Sequence, residues 1–303
     1  MEKQVKKVTS MYEGERLDAF VSKVDESISR TLAQTLIKNG EILLDGVKAK
    51  VSTKVHEGQT VEIPEEVKLP INESLIAEDI PIDILYEDEH ILVVNKPKDM
   101  VVHPAVGNRT GTLVNAILGK TSNLSNYNGE FRPGIVHRLD KNTTGVLVIA
   151  KNNLAHQNIA EQIKNRTTKK IYLALVRGRI NEENGVIDMP IGRHPTDRKK
   201  MAVVKDGRNA LTKFKVLKRY EGYTLLEIEL KTGRTHQIRV HLAHIGHPVV
   251  GDDVYSSGKN PFGVTSQMLH SYILGFNHPA TGEWVEFVAP LPKEFDDVLK
   301  RLV

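Results

Sequence analysis

The feature that most constrains the fold is a run of five apolar residues, Val-Leu-Val-Ile-Ala at positions 146–150. The run is rich in β-branched residues and does not alternate, which predicts a strand buried on both faces of a sheet. Residues 132–145, just before it, contain Pro-Gly and Thr-Gly pairs that favour a loop. Because a loop held against a core strand is a usual place for reactive side chains, this loop is the first candidate for a functional site.

Patterns elsewhere in residues 81–303 predict a mixed α and β domain. The strand-like segments are 84–86, 91–95, 171–176, 214–217 and 224–230, and the first two flank a short turn that suggests a hairpin. Helical spacing of apolar residues marks 111–118 and 154–164. No internal repeat or low-complexity tract is visible.

Residues 15–63 form a separate pattern of two short helices followed by short strands. Leu17, Phe20, Val21 and Val24 lie on one helical face. A second helix around residues 32–37 is predicted to end at Asn39-Gly40, where glycine caps a helix well. Strands are expected at 42–44, 47–51 and 60–63, with turns at Asp45-Gly46 and Gly58. Residues 64–80 have prolines, acids and no clear period, which indicates a linker.

Composition excludes several classes of protein. The chain contains no cysteine, which removes disulfides, thiol nucleophiles and cysteine-bound zinc. No apolar stretch is long enough to cross a membrane, and the first twenty residues lack the apolar region of a secretory signal. A cytoplasmic protein without membrane contact is therefore expected. The net charge is +4, but residues 161–219 hold sixteen Lys and Arg against six Asp and Glu, an excess suited either to a polyanion or to a solvated surface.

Asp140 is the most notable residue of the central loop. It lies between Arg138 and Lys141, and neighbouring cations favour the ionised form of a carboxyl group. An ionised carboxylate can act as a nucleophile without a cofactor. The competing interpretation is a structural ion pair with a nearby arginine, and the charge pattern alone favours that one.

The N-terminal unit resembles a known domain. The segments RLDAFVSK, SRTLAQTLIKNGEILLDGVKAK and VHEGQTVEI are together similar to an S4 RNA-binding domain over its whole length. The resemblance implies that a basic face contacts structured RNA, although the same cations would also keep a small domain soluble. The matching cations are Arg30, Lys38, Lys48, Lys50 and Lys54.

The larger unit resembles a second family. The segment GIVHRLDKNTTGVLVIAKN is similar to the signature of RluA-type pseudouridine synthases, and NKPKDMVVHP resembles another of their motifs, with Asp99 in place of the usual glycine. GTLVNAIL, KKIYLALVRG and LKTGRTHQIRVHLAHIGHPVVGDDVY also match. An S4 domain before this unit is similar to the RluD-like branch, the ribosomal large-subunit pseudouridine synthases.

The two resemblances imply an α+β protein. Residues 1–63 would form the S4-like domain and 64–80 a linker. Residues 81–303 would form a catalytic domain with a mixed, largely antiparallel sheet and a central cleft. The implied reaction breaks the N-glycosidic bond of a uridine, rotates the uracil and rejoins it through carbon. No cofactor and no metal is expected for this reaction.

The family resemblance also implies roles for three catalytic residues. Asp140 would be the nucleophile, attacking either the ribose or the uracil ring. Tyr172 would stack on the uracil, although a strand tyrosine packed in the core competes with that role. Arg239 would pair with Asp140 and orient it, and Arg234 is the second candidate for this partner.

Further residues are predicted to contact RNA. Arg138 would support the target nucleotide or its phosphate, and His137 would either do the same or bond to the backbone. Since a stacked uridine cannot reach a buried carboxylate, the nucleotide must be flipped out of its helix. The basic segment 193–208 is expected to contact phosphates, with Arg198, Lys199 and Lys200 at its centre. The expected partner is large-subunit ribosomal RNA or its precursor particle, and the expected state is a monomer.

Two other functions compete with this prediction. One is a non-catalytic RNA-binding or ribosome-assembly factor built on the same domains. The other is a metal-dependent enzyme that uses a cluster of histidines and acids, although their spacing does not suit one ligand helix. The residues of that cluster are His236, His241, His244, His247, Asp252 and Asp253.

Overall fold

The computed structural model describes residues 3–25, 28–64, 75–104, 108–121, 123–127, 132–197, 200–257 and 262–302. Within these ranges, no helix combines the length and the apolar character that crossing a bilayer requires. The described residues form a small N-terminal unit and a larger unit built on one extended sheet, each with its own buried apolar cluster. This α+β architecture confirms the predicted fold class.

The N-terminal unit packs two helices against a three-stranded sheet. Its elements are β1 (Lys3–Lys7), a short 3-10 helix (Ser10–Tyr12), α1 (Leu17–Val24), α2 (Arg30–Asn39), β2 (Leu43–Leu44) and β3 (Thr60–Pro64). The Ser29 side chain caps α2 by accepting a hydrogen bond from the Leu32 backbone, and α2 ends at Gly40 with a φ of 81°. Both helices were predicted from apolar spacing, whereas β1 was not predicted at all.

The strand predicted at 47–51 is wrong. Only a single bridge joins Leu44 to Val47 after the Asp45-Gly46 turn. Beyond it, the backbone carbonyls of Val51 and Thr53 accept hydrogen bonds from Asp18 and Leu17. The end of the predicted strand and the residues just after it therefore satisfy free N–H groups at the start of α1 instead of pairing in the sheet.

The larger unit contains the remaining elements. They are β4 (Asp83–Glu87), β5 (Ile91–Lys96), α3 (Leu113–Leu118), β6 (Thr144–Ala150), α4 (Asn153–Lys164), β7 (Lys169–Arg177), β8 (Asn184–Asp188), β9 (Ile191–Arg193), β10 (Met201–Val203), β11 (Leu211–Tyr220), β12 (Tyr223–Leu230), α5 (Gln237–His244), β13 (Leu269–Asn277), β14 (Trp284–Val288) and α6 (Lys293–Arg301). All eight segments predicted here are present, and β8, β9, β10, α5, β13, β14 and α6 are additional.

The main sheet has nine strands in the order β4-β5-β6-β13-β7-β12-β11-β8, with β14 also paired to β13. The pairing of β6 with β13 is parallel and the other pairings are antiparallel. Strand β12 alternates between buried and half-buried residues, as expected for a strand with one face on the core. Strands β9 and β10 form a separate ribbon.

Strand β6 is buried on both faces, as the apolar run predicts. Leu147 and Ile149 belong to one apolar cluster, and Val146, Val148 and Ala150 belong to another. The strand lies between β5 and β13. The loop that precedes β6 therefore emerges near the middle of the sheet.

The predicted linker lies only partly within the described residues, because 65–74 fall outside them. Its last residues pack on the larger unit. The Asn115 side chain of α3 donates to the Ile76 carbonyl at 2.7 Å, and Glu78 accepts from the Gly111 backbone. Leu75 is buried in the apolar cluster of the larger unit. The end of this segment thus packs as part of the larger unit.

Candidate active site

Backbone contacts fix the loop that carries Asp140. Gly134 donates to the Ser125 carbonyl at 2.6 Å, and Ala150 at the end of β6 donates to the Gly134 carbonyl at 2.9 Å. Thr143 donates to the Asp140 carbonyl at 3.1 Å, closing a turn around the acid. The loop is thus tied to β6 at one end and to its own turn at the other, which holds Asp140 in one place.

Gly145 joins this loop to β6 at a position that only glycine fits. Its φ is +112°, and a Cβ there would lie 2.1 Å from the Ser271 carbonyl oxygen. Ser271 pairs with Gly145 on one side and with Tyr172 of β7 on the other. A single residue of β13 therefore spaces the loop of Asp140 from the strand of Tyr172.

A cleft of about 500 Å³ opens above this loop. Six residues predicted from sequence line it together: His137, Arg138, Asp140, Tyr172, Arg234 and Arg239. Among its described lining residues, seven are Lys or Arg and one, Asp140, is acidic. Such a lining attracts a polyanion and concentrates it near the single carboxylate.

The Asp140 carboxylate is held by an arginine that is itself anchored. Arg239 Nη1 donates to Asp140 Oδ2 at 3.2 Å. The Nε and Nη2 atoms of Arg239 donate to the two carboxylate oxygens of Asp252 at 2.6 and 2.9 Å. Arg239, rather than Arg234, is therefore the cation at Asp140, since Arg234 donates from Nε to the Asn209 carbonyl.

Burial and charge set the protonation of Arg239 and Asp252. Burial opposes the charge on Arg239, but hydrogen bonds to Asp252 and the charges of both acids raise the pKa of its guanidinium above the ordinary value. Burial also opposes the charge on Asp252, and the contact with Arg239 outweighs it and lowers the pKa of Asp252. The Asp140 side chain is held by Arg239 and remains 19% exposed, so it is open to the cleft.

Tyr172 is packed in the core, as one expectation had it, and it also borders the cleft, while its stacking on uracil stays a prediction. It lies on β7 with 7% of its surface exposed, within the main apolar cluster, and it also lines the cleft. Burial raises the pKa of its hydroxyl to about 12, so the group stays protonated at neutral pH. The ring is thus a fixed apolar surface on the wall facing the loop of Asp140.

His137 and Arg138 follow one another in the loop but have different surroundings. His137 Nε2 accepts a hydrogen bond from the Val148 backbone at 3.2 Å, so the ring is satisfied by the backbone and still borders the cleft. Burial lowers the pKa of His137 to about 3, which keeps it neutral. Arg138 is exposed at the cleft edge.

The predicted RNA-binding cations of the N-terminal unit lie on its surface. Arg30 donates to Asp18, whose side chain is fully buried and also accepts hydrogen bonds from Arg16 and Gln34. Arg30 is thus a fixed guanidinium, still about half exposed. The lysines predicted for this face, Lys38, Lys48, Lys50 and Lys54, are all exposed.

The basic segment 193–208 is only partly described. Arg198 and Lys199 lie outside the described residues, so the prediction of phosphate contacts at these two positions has no structural counterpart here. Lys200 is half-buried between β9 and β10, and its backbone pairs with His194 and Asp197. It does not line the cleft of Asp140.

Three of the four histidines considered for a metal site have separate partners. His241 bonds to Thr212 and to the Met189 carbonyl, His247 to the Arg177 carbonyl, and His236 to the Tyr255 hydroxyl. Asp252 is committed to Arg239. Within the described ranges, no group of three or more such side chains is placed to hold a metal ion.

Sequence reasoning missed several residues of the site. Lys96 is fully buried and donates to the carbonyls of Pro97, Met100 and Lys141, which ties the segment after β5 to the loop of Asp140. Tyr255 lies 5.1 Å from the Arg239 guanidinium, and Asp252 anchors that guanidinium. Both lie in a motif quoted above, but the pattern of the motif does not reveal which partner each side chain meets.

Comparison with known proteins gives consistent results. Residues 90–244 match the family described as RNA pseudouridylate synthase, and residues 15–61 match the S4 domain. The uncharacterized RNA pseudouridine synthase YlyB of Bacillus subtilis is 46% identical, over 95% of this chain and 94% of the relative.

Relatives with more specific names are nearly as similar. The ribosomal large subunit pseudouridine synthase D of Pseudomonas aeruginosa is 42% identical, over 93% of this chain and 90% of the relative. Among solved structures, human RNA pseudouridylate synthase domain containing 1 has a TM-score of 0.57 and 28% identity, covering 75% of this chain and 96% of the human one.

Proposed function

The chain belongs to the RNA pseudouridylate synthase family, and from this premise we propose that it isomerises specific uridines of large-subunit ribosomal RNA with Asp140 as the nucleophile. The chain is an RNA pseudouridine synthase, an isomerase, by its family and its relatives. The substrate is proposed from the relatives named ribosomal large subunit pseudouridine synthase D and from the S4 domain that precedes the catalytic unit.

The observation that carries the proposal for Asp140 is its setting. It is the one acidic side chain among the described residues that line a basic cleft, and its partner Arg239 is locked by Asp252. Because two N–H groups of Arg239 donate hydrogen bonds to Asp252, the guanidinium stays charged and fixed while Asp140 reacts. A carboxylate oriented in this way needs no separate base to become nucleophilic.

The reaction balances without a cofactor. The bond between N1 of uracil and C1′ of ribose breaks, a bond between C5 and C1′ forms, and one proton leaves C5 while N1 gains one. Asp140 would bond to the substrate while the uracil turns, on the ribose or on the ring, and would be released when the carbon–carbon bond forms. Tyr172, opposite the loop, is proposed to stack on the uracil during this rotation.

The target nucleotide must leave its helix to reach Asp140. Extruding a base costs a few kcal/mol, which stacking and hydrogen bonds in the pocket offset. Arg138 at the cleft edge is proposed to support the displaced nucleotide, and His137 to border it. Contacts of exposed cations with phosphates would add affinity and salt sensitivity without selecting a sequence.

Pseudouridine mapping tests both the substrate and the nucleophile. We expect cells without the gene to lose pseudouridine at a few positions of large-subunit RNA, and the wild-type gene to restore them. Asp140→Asn should restore none while still binding RNA, and Asp79→Asn, at an exposed position, should restore all. Losses confined to transfer RNA would contradict the substrate, and pseudouridine formed by Asp140→Asn would contradict the nucleophile and favour a different catalytic group.

The same experiment separates the enzyme from an assembly factor. If the growth or ribosome phenotype of cells without the gene is rescued fully by Asp140→Asn, the biological role rests on RNA binding more than on isomerisation.

We also propose that the protein acts as a cytoplasmic monomer, divided into residues 1–63, 64–80 and 81–303. Light scattering on the purified chain tests the monomeric state. Limited proteolysis, with cleavage expected between residues 64 and 80, tests the division.

A further inference from the structure

His236 faces the same carboxylate as Arg239, from the other side. Its Nε2 atom lies 4.0 Å from Asp140 Oδ1, whereas Arg239 contacts Oδ2. His236 is the residue before α5, and its φ of 56° and ψ of 20° place it in the left-handed region that a non-glycine residue rarely adopts. Strained backbone of this kind collects at functional sites, and here it turns the imidazole towards Asp140.

Tyr255 determines which nitrogen of His236 carries the proton. The Tyr255 oxygen accepts a hydrogen bond from the Met201 backbone at 2.8 Å and lies 2.9 Å from His236 Nδ1. Burial raises the pKa of Tyr255, so its hydroxyl keeps its proton. Among the residues that the structure describes, Nδ1 is the acceptor placed to receive that proton, so Tyr255 donates to Nδ1.

The charge of Asp140 favours the same tautomer. If Nδ1 carried the proton, the lone pair of Nε2 would face a carboxylate oxygen, and the two electron-rich atoms would repel. With the proton on Nε2, an N–H group faces Oδ1 instead. Burial lowers the pKa of His236 despite the nearby acids, so the ring is neutral and carries a single proton.

Tyr255 also supports the second partner of Asp140. The Arg239 guanidinium lies 5.1 Å from the centre of the Tyr255 ring, and the Tyr255 backbone donates to Asp252. Tyr255 therefore contacts the Arg239 guanidinium with its ring and orients His236 with its hydroxyl. Replacement by phenylalanine separates these two contributions.

We propose that Tyr255 fixes His236 as the Nε2–H tautomer, and that this N–H is the second hydrogen-bond donor to Asp140, closing on Oδ1 when substrate fills the cleft. The separation of 4.0 Å is too long for a hydrogen bond in the free protein, and a shift of about 1 Å would form one. His236 and Tyr255 are positioning residues in this scheme, and the scheme rests on Asp140 being the nucleophile.

The tautomer is measured directly by NMR of the full-length protein with 15N-labelled histidine. His236→Gln identifies the resonances of His236 by their loss. We expect Nε2–H in the wild type and in Asp140→Ala, and a mixture of tautomers when Tyr255→Phe is combined with Asp140→Ala, because both influences on the tautomer are then removed. Wild-type protein with the proton on Nδ1 would overturn the proposal, as would the double variant with the same spectrum as Asp140→Ala.

Single-turnover rates test the contribution to the reaction, using total RNA from cells that lack the gene as substrate. Tyr255→Phe should lower the rate about tenfold, the effect of weakening one hydrogen bond to a charged group, with RNA affinity unchanged. His236→Leu should lower it further than His236→Gln, since glutamine retains an N–H donor. Tyr86 lies on β4 and its hydroxyl donates to Asp88, so Tyr86→Phe removes a comparable hydroxyl and serves as the matched control.

The outcomes separate this proposal from the one it rests on. Equal rates for His236→Leu and His236→Gln, or a Tyr255→Phe rate equal to that of Tyr86→Phe, would refute the role of the histidine while leaving Asp140 intact. An active Asp140→Ala variant would refute the nucleophile, and the tautomer spectra would still report whether Tyr255 orients His236.

Discussion

Asp252 gives the sharpest test of how the site is built. Its side chain is fully buried and accepts hydrogen bonds from Arg239 on both oxygens, and the Arg239 side chain is 5% exposed. Asp252→Asn preserves the shape but removes the negative charge and turns one acceptor into a donor that faces the guanidinium. Arg239 would then be a buried cation whose remaining acidic neighbours are the part-exposed Asp140 at 3.2 Å and the exposed Asp253 at 4.0 Å.

The expected loss follows from the buried pair. Removing one member of a buried ion pair costs about 3–5 kcal/mol because the other charge is left uncompensated. For a domain of this size each kcal/mol lowers the melting temperature by about 2–4 °C, so Asp252→Asn should melt about 6–20 °C below the wild type. Turnover should fall as well, because Arg239 would no longer be fixed against Asp140.

Calorimetry on the purified protein measures this change, and the adjacent acid is the control. Asp253 is 76% exposed in its side chain and lies 4.0 Å from Arg239 Nη2, so Asp253→Asn should melt within about 2 °C of the wild type. If the two variants melt at the same temperature, Arg239 does not depend on its bidentate contact. The account of the anchored arginine would then be wrong.

Three further predictions concern other parts of the chain. Asp99 has a φ of 62°, so Asp99→Gly should raise the free energy of unfolding in urea by up to about 1 kcal/mol. Asp45→Gly is the control and should lower this free energy, because the Asp45 carboxylate accepts a hydrogen bond from the Thr60 backbone. Burial lowers the pKa of His156 to about 4, so the stability that its neutral ring contributes is complete above pH 6.5 and is lost as the pH falls towards 4. His156→Leu should therefore lose about 2 kcal/mol less stability than the wild type between pH 7 and pH 5. Lys170 lines the cleft and Lys169 pairs with Glu286 instead, so Lys170→Gln should weaken RNA binding and flatten its salt dependence more than Lys169→Gln does.

The sequence predicts the parts of this fold that depend on local pattern. The run at 146–150 becomes β6 because unbroken apolar, β-branched residues have no stable place except between two buried faces. The helix that ends at Gly40 follows from spacing and capping alone. Asp99, which stands in place of the usual glycine of its motif, itself adopts the left-handed backbone conformation that glycine favours.

What pattern cannot supply is partnership across the chain. Asp252 lies 13 positions from Arg239 and Asp140 lies 99 positions from it, and only the folded sheet brings these three together. Tyr255 and His236 belong to one continuous motif, yet their contact depends on the strained turn before α5. The segment 47–51 failed as a strand for a similar reason, since the carbonyl at its end, that of Val51, bonds to the start of α1 rather than to a sheet neighbour.

The place of Ser271 between Gly145 and Tyr172 has a consequence for catalysis. Both walls of the cleft attach to one strand, which fixes the distance between the loop of Asp140 and the ring of Tyr172. If Asp140 is the nucleophile and Tyr172 stacks on the uracil, as proposed, the RNA must change its own shape to bring the target nucleotide into a cleft of fixed width. We expect such an enzyme to choose among uridines by how readily each one swings free of its neighbours.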